Sequence, residues 1–201
     1  MEESKKQSKI IFAVIGVAIL LTLTVGLSFA IYSFDRTGGE NTITTGTVSM
    51  SFTESTSVID ITNALPVQNV ANAKTSDEFF EFTIETSATD KMNIPYTVTV
   101  NEVALDSGYT TIGQSNVHLY LTKLNGSTEA TPALIDNTAN TVLNNSTSGT
   151  LLTNTHEHSS AGQISTTYRL RMWIPYSVDA SNWTAATKLQ YKLRIDVSGT
   201  V

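Results

Sequence analysis

The chain has 201 residues, a formal net charge of −6 and no cysteine. Without cysteine there is no disulfide framework, no thiolate zinc site, no lipid-modified N-terminal Cys and no thiol nucleophile. An acidic chain with no Lys/Arg cluster is also a poor match for phosphate backbones, so nucleic acid is not an expected partner.

The first element is a stretch without charge from Ile10 to Tyr32, IIFAVIGVAILLTLTVGLSFAIY. As a helix rising about 1.5 Å per residue it is long enough to cross a ~30 Å hydrocarbon layer. Lys5, Lys6 and Lys9 precede it, and the first charges after it are Asp35 and Arg36. The positive-inside rule therefore places Met1 in the cytoplasm and the bulk of the chain outside, at the cell surface. Ser28-Phe29-Ala30 puts small residues, Ser28 and Ala30, at the two positions a signal peptidase reads, which predicts cleavage after Ala30. Left uncleaved, the same segment is a membrane anchor. Residues 1–33 thus read as a signal peptide or signal-anchor helix, 34–42 as a linker or donor strand, and 43–201 as the extracellular domain. Without the apolar segment about 170 residues remain, enough for one domain with a substantial core.

Beyond the polar DRTGGEN stretch, six segments alternate apolar and polar residues. They are Val48-Met50-Phe52, Phe80-Phe82-Ile84, Tyr96-Val98-Val100, Val117-Leu119-Leu121, Tyr168-Leu170-Met172-Ile174 and Leu189-Tyr191-Leu193-Ile195-Val197. Period two gives a strand one buried and one wet face. Sheets of such strands pack face to face, and the Thr, Val, Ile and Tyr content agrees. Asp106-Ser107-Gly108, Asn125-Gly126-Ser127 and the polar run Asn137 to Gly149 read as turns and loops, and short helical turns fit Val67 to Ala73 and Ala180 to Thr187. The expected fold is an all-β antiparallel sandwich of about seven to nine strands, jelly-roll-like or Ig-like, preceded by one N-terminal hydrophobic helix.

At the junction stand Ser28-Phe29-Ala30, then Tyr32, Phe34 and Asp35, then Asn41-Thr42-Ile43-Thr44-Thr45-Gly46-Thr47-Val48. This order of cleavage site, aromatic segment with an Asp, polar spacer and N-T-[FI]-T-[AT]-G-T-[LV] strand resembles the start of the TasA/camelysin family of exported, fibre-forming biofilm-matrix proteins. About 22 residues, Leu27 to Val48, carry the resemblance. The family's Pro-Gly-Asp segment before the second strand is absent, and Lys74-Thr75-Ser76-Asp77 stands nearest to it. The resemblance implies a dedicated signal peptidase, a jelly-roll domain and self-association into fibres. It also implies a donor strand, Ile31, Tyr32, Ser33, Phe34 and Asp35 extending to Thr37, that completes a neighbour's sheet by satisfying an unpaired edge.

No nucleophile elbow, P-loop or dinucleotide fingerprint occurs, and no enzyme activity is expected. His156-Glu157-His158 lacks the H-E-x-x-H spacing of zinc peptidases, although two imidazoles at i and i+2 of a strand would share a face. The Ser/Thr/Asn-rich surroundings predict an exposed loop there, so His156 and His158 are weak metal candidates and no cofactor is expected. Asp136-Asn137 and Asp179 are weak Ca²⁺ candidates. His118 and Trp173 fall on the polar faces of their strands, where Trp173 would be an exposed aromatic contact for a sugar or a partner. The leading expectation is a fibre or matrix subunit; the alternative is a membrane-anchored binding or adhesion module.

Overall fold

The computed structural model describes residues 33–37, 41–45, 48–54, 58–62, 65–179, 183 and 188–200. The apolar segment, the Ser28–Ala30 site, Ile31 and Tyr32 of the expected donor, and most of the possible turn at 180–187 lie outside the described residues. In chain order the elements are β1 (Ser33–Thr37), β2 (Asn41–Thr45), β3 (Val48–Glu54), β4 (Ile59–Thr62), α1 (Val70–Lys74), β5 (Phe80–Ala88), β6 (Met92–Glu102) and β7 (Thr110–Thr111). A 3₁₀ turn (Gln114–Asn116) leads to β8 (His118–Asn125), β9 (Thr128–Glu129), β10 (Ile135–Thr138), α2 (Ala139–Leu143), β11 (Ser148–His158), β12 (Gly162–Trp173) and β13 (Leu189–Thr200).

All six segments of alternating polarity are strands, in β3, β5, β6, β8, β12 and β13. They form two packed sheets. Sheet A runs β1–β13–β6–β11, with β4 and β7 also on β13; sheet B runs β10–β8–β12–β5–β3–β2, with β9 on β8. The strand pairings are antiparallel except the two-residue pairing of β7 with β13. The architecture is therefore the expected antiparallel sandwich. The strands beyond the expected seven to nine are mostly short pieces, such as β4, β7 and β9, too brief to show a period.

One feature organises the whole. β5 pairs with β12 in sheet B, while their continuations β6 and β11 pair in sheet A. The two-stranded ribbon thus folds over at residues 89–91 and 159–161, and its halves face each other as in a jelly-roll wrap. Between them lie Phe52, Ile84, Ile94, Val98, Leu119, Leu121, Leu170, Leu193 and Ile195, all fully buried. Each such side chain stabilises the fold by about 1.5–3 kcal/mol through loss of apolar surface. Phe82 stacks on Tyr168 at 5.2 Å between ring centroids and tilts against Phe52 at 6.0 Å.

Two expectations need correction here. The run Asn137 to Gly149 is not a loop: it carries the end of β10, then α2, then the start of β11. Thr138 caps α2 by accepting from the Thr141 N–H at 3.3 Å, and Ala139 and Leu143 bury the helix's apolar side. The helix near Val67 to Ala73 begins later, at Val70, because Asn69 is its cap and accepts from the Ala71 N–H at 2.9 Å.

The segment 65–79 between β4 and β5 lies across the outer face of sheet B. Val67 N–H donates to the Ile174 carbonyl at 2.8 Å, and Arg171 Nε donates to the Ser76 carbonyl at 2.8 Å. Lys74 is ion-paired with Asp136 and lies over the Tyr120 ring. This cover changes the surroundings of every polar-face residue at that end of β12.

Candidate functional site

Three places on the sandwich bear on function: an edge of sheet A, the polar fold of the ribbon, and a cleft at one end.

The edge is where β1 lies. Ser33, Phe34, Asp35, Arg36 and Thr37 stand opposite Thr200, Gly199, Ser198, Val197 and Asp196 of β13. Ser33, Phe34 and Asp35 of the expected donor therefore occupy an edge position on the chain's own sheet. The 34–42 stretch contributes most of β1 and the start of β2, and these belong to opposite sheets. Gly38-Gly39-Glu40 joins them in sequence.

The second place is built from seven side chains where the ribbon folds over. The inward phase of β5 continues from Ile84 to Thr86, that of β12 from Thr166 to Tyr168, and β6 adds Tyr96. β11 adds His156 and His158, which the sequence placed in an exposed loop. They sit on a strand instead, at 4 % and 3 % exposure, because β11 pairs along its length with β6. Thr86 Oγ1 lies 2.8 Å from His156 Nδ1 and 2.9 Å from His158 Nε2. His156 Nε2 lies 2.9 Å from Thr166 Oγ1 and 3.4 Å from the Tyr96 hydroxyl. Tyr96 and Tyr168 hydroxyls are 2.6 Å apart, and Asn154 Nδ2 donates to both, at 3.2 and 3.1 Å.

The electrostatics follow from burial. Loss of hydration pushes the His156 imidazolium down to about pKa 4, helped by His158 and Lys123. Burial first, then Tyr168, pushes the Tyr96 phenol up. As for a metal, the two rings converge on a hydroxyl, and among the described residues no group of three or more His, Asp or Glu is placed to hold an ion. Of the Ca²⁺ candidates, Asp136 is engaged by Lys74.

Trp173 is not exposed. It is 5 % accessible, set against His118 at 5.6 Å and Tyr120 at 6.5 Å between ring centroids, under the segment 65–79. His118 is accordingly half-buried, and burial lowers its pKa. Beside them Arg169 bonds Glu81 at 2.9 Å and Glu129 at 3.0 Å, and Arg171 bonds Glu129 at 2.7 Å.

The third place is a cleft of about 500 Å³ between β4 and the ends of β5 and β12. Ile59, Ile61, Leu65, Phe80, Met172 and Ile174 are among its apolar walls, and Asp60 and Glu78 also line it. Leu65 and Phe79 stand exposed there. Sequence reasoning missed the cleft, since the end of β12 that closes it lies far along the chain from β4 and β5.

No family model matches the chain, and no curated protein does. Among solved structures it is similar to TmCBM61 in complex with beta-1,4-galactotriose, at 9 % identity and a TM-score of 0.21 over 74 % of this chain and 86 % of that one. It is also similar to AvmM, which catalyses macrocyclization in alchivemycin A biosynthesis, at 9 % identity and 0.21 over 61 % and 67 %. A third is the catalytic unit of a GH87 alpha-1,3-glucanase from Streptomyces thermodiastaticus, at 10 % identity and 0.21; the chain spans a quarter of its length (25 %). Likeness at this level carries no argument about function.

Proposed function

We propose that this protein is an exported cell-surface subunit that assembles into fibres by strand addition and has no catalytic role. The observation that carries the reading is the pairing of Ser33–Thr37 with the end of β13. Backbone hydrogen bonds along such an edge are the same whether the strand comes from its own chain or from another. Gly38-Gly39 stands between β1 and β2 in sequence, and glycine is the residue type that most readily takes up the backbone change an exchanged strand requires. Cleavage after Ala30 would free Ile31 and Tyr32 to extend it.

The intact mass of the protein recovered from the cell surface tests this. A chain beginning at Ile31 supports the subunit reading. A chain retaining Met1 or Glu2 is held in the membrane and argues for the second reading, an anchored binding or adhesion module. The apolar cleft bordered by Leu65 and Phe79 favours that alternative, because an open apolar recess suits a bound partner.

A further inference from the structure

The two halves of β11 are held by different forces. Its first half packs Leu151 into the core, and Gly149 lies so close to α2 that an added Cβ would meet the Val142 carbonyl. After the irregularity between Thr150 and Leu152 the strand buries only His156 and His158, with Asn154 exposed on the same side, and no apolar side chain follows. Among the described residues β11 is an edge strand, with β6 as its one ladder partner. Opposite Thr155 stands Pro95, which has no backbone N–H to give. What seats residues 154–158 is therefore the remaining ladder together with the hydrogen bonds of two imidazoles and one amide.

We propose that residues 154–158 form an acid-released edge strand, which leaves β6 when His156 gains a proton while the rest of the sandwich stays closed. The surroundings of the pair decide this. β5 offers Thr86, a neutral hydroxyl with one hydrogen to share between two rings. β12 offers Thr166 and Tyr168, and β6 offers Tyr96, again neutral groups. β8 offers Lys123, opposite Tyr168 in register and of the same sign as an imidazolium. On β11 itself Glu157 points away and is exposed. No carboxylate among the described residues bonds either ring, so a proton there brings a charge into the sandwich with no counter-ion. The cheapest relief is to lift five residues that bury nothing apolar, and the edge of β6 is then bare.

Amide hydrogen exchange on the full chain at pH 7.5 and pH 5.0, corrected for intrinsic rates, tests the proposal. Residues 154–158 should lose at least about tenfold in protection at pH 5.0, the factor one unit of proton linkage supplies, and should exchange there through a local opening, well below the protection of β5, β12 and β13, which follow global unfolding. Protection of residues 154–158 within twofold at both pH values, or equal at pH 5.0 to that of β5, β12 and β13, would overturn it. His156→Gln keeps a neutral hydrogen-bonding side chain and should abolish the pH effect; a variant that folds and keeps it would also overturn the proposal. Should that variant fail to fold, the exchange pattern of the unaltered chain decides alone.

Discussion

Gly199 of β13 lies directly against Met50 of β3, across the two sheets: a Cβ added at Gly199 would fall 2.8 Å from Met50 Sδ and closer still to its Cε. Gly199 also stands opposite Phe34 of β1 and Tyr96 of β6. The sandwich thus reaches full packing density beneath the edge that β1 occupies. Gly199→Ala should cost about 1–3 kcal/mol by overpacking, read as a lower urea midpoint. Met50→Ala in the same chain should recover part of the loss, because a methionine end is the group in the way. Two costs that simply add would show that Gly199 is constrained by something else.

Stability should rise with pH across the acid range. The folded pKa of His156 is depressed to about 4 from the ordinary 6.5, so the unfolded chain binds the proton more tightly. This contribution is complete above about pH 6.5, declines as pH falls, and is lost near pH 4. Its full size is up to about 3 kcal/mol, at 1.36 kcal/mol per unit. Urea unfolding at pH 7.5, 6 and 5 should show the fall, and His156→Gln should flatten it.

Glu129 binds two guanidinium groups, and Arg169 and Arg171 hold its carboxyl below the ordinary range against the opposing effect of burial. Arg171 is buried, and its Nη1 already lacks a hydrogen-bond partner among the described residues. Glu129→Gln leaves the buried Arg171 with no ion pair among the described residues. The expected cost is about 2 kcal/mol, below the 3–5 kcal/mol of a fully buried pair because Glu129 keeps some solvent. That corresponds to a fall in Tm of roughly 4–8 °C for a chain of this size. Glu81→Gln, on the more exposed partner, should cost less than half as much.

Trp173 should emit as a buried indole. In a Trp183→Phe chain its fluorescence should be blue-shifted and little quenched by acrylamide. Trp173→Ala should cost about 3–5 kcal/mol, as removal of a large aromatic from a packed site does. Ready quenching would contradict its place beneath the segment 65–79.

Alternation found the strands that have an apolar face, and it failed where the inward face is polar. Phe80, Phe82 and Ile84 announce β5, and Thr86 follows in the same phase, so that member of the cluster was legible. His156 and His158 were not, because SGTLLTNTHEH shows no apolar period. The strand exists through its ladder to β6 and through partners on β5 and β12, none of which is local in sequence. Trp173 shows the complementary limit. The period of β12 correctly set it opposite Leu170 and Met172, but burial on that face comes from α1 and its flanks, a packing decision made about 100 residues away. The cleft is likewise a product of tertiary assembly.

If β1 joins one subunit to the next, chains beginning at Ile31 and at Gly38 should differ in assembly. Electron microscopy should show long fibres from the first, whereas the second, lacking β1, should remain as single subunits and bind an added peptide spanning Ile31–Thr37. Fibres from the chain that begins at Gly38, or none from the chain that begins at Ile31, would contradict the account.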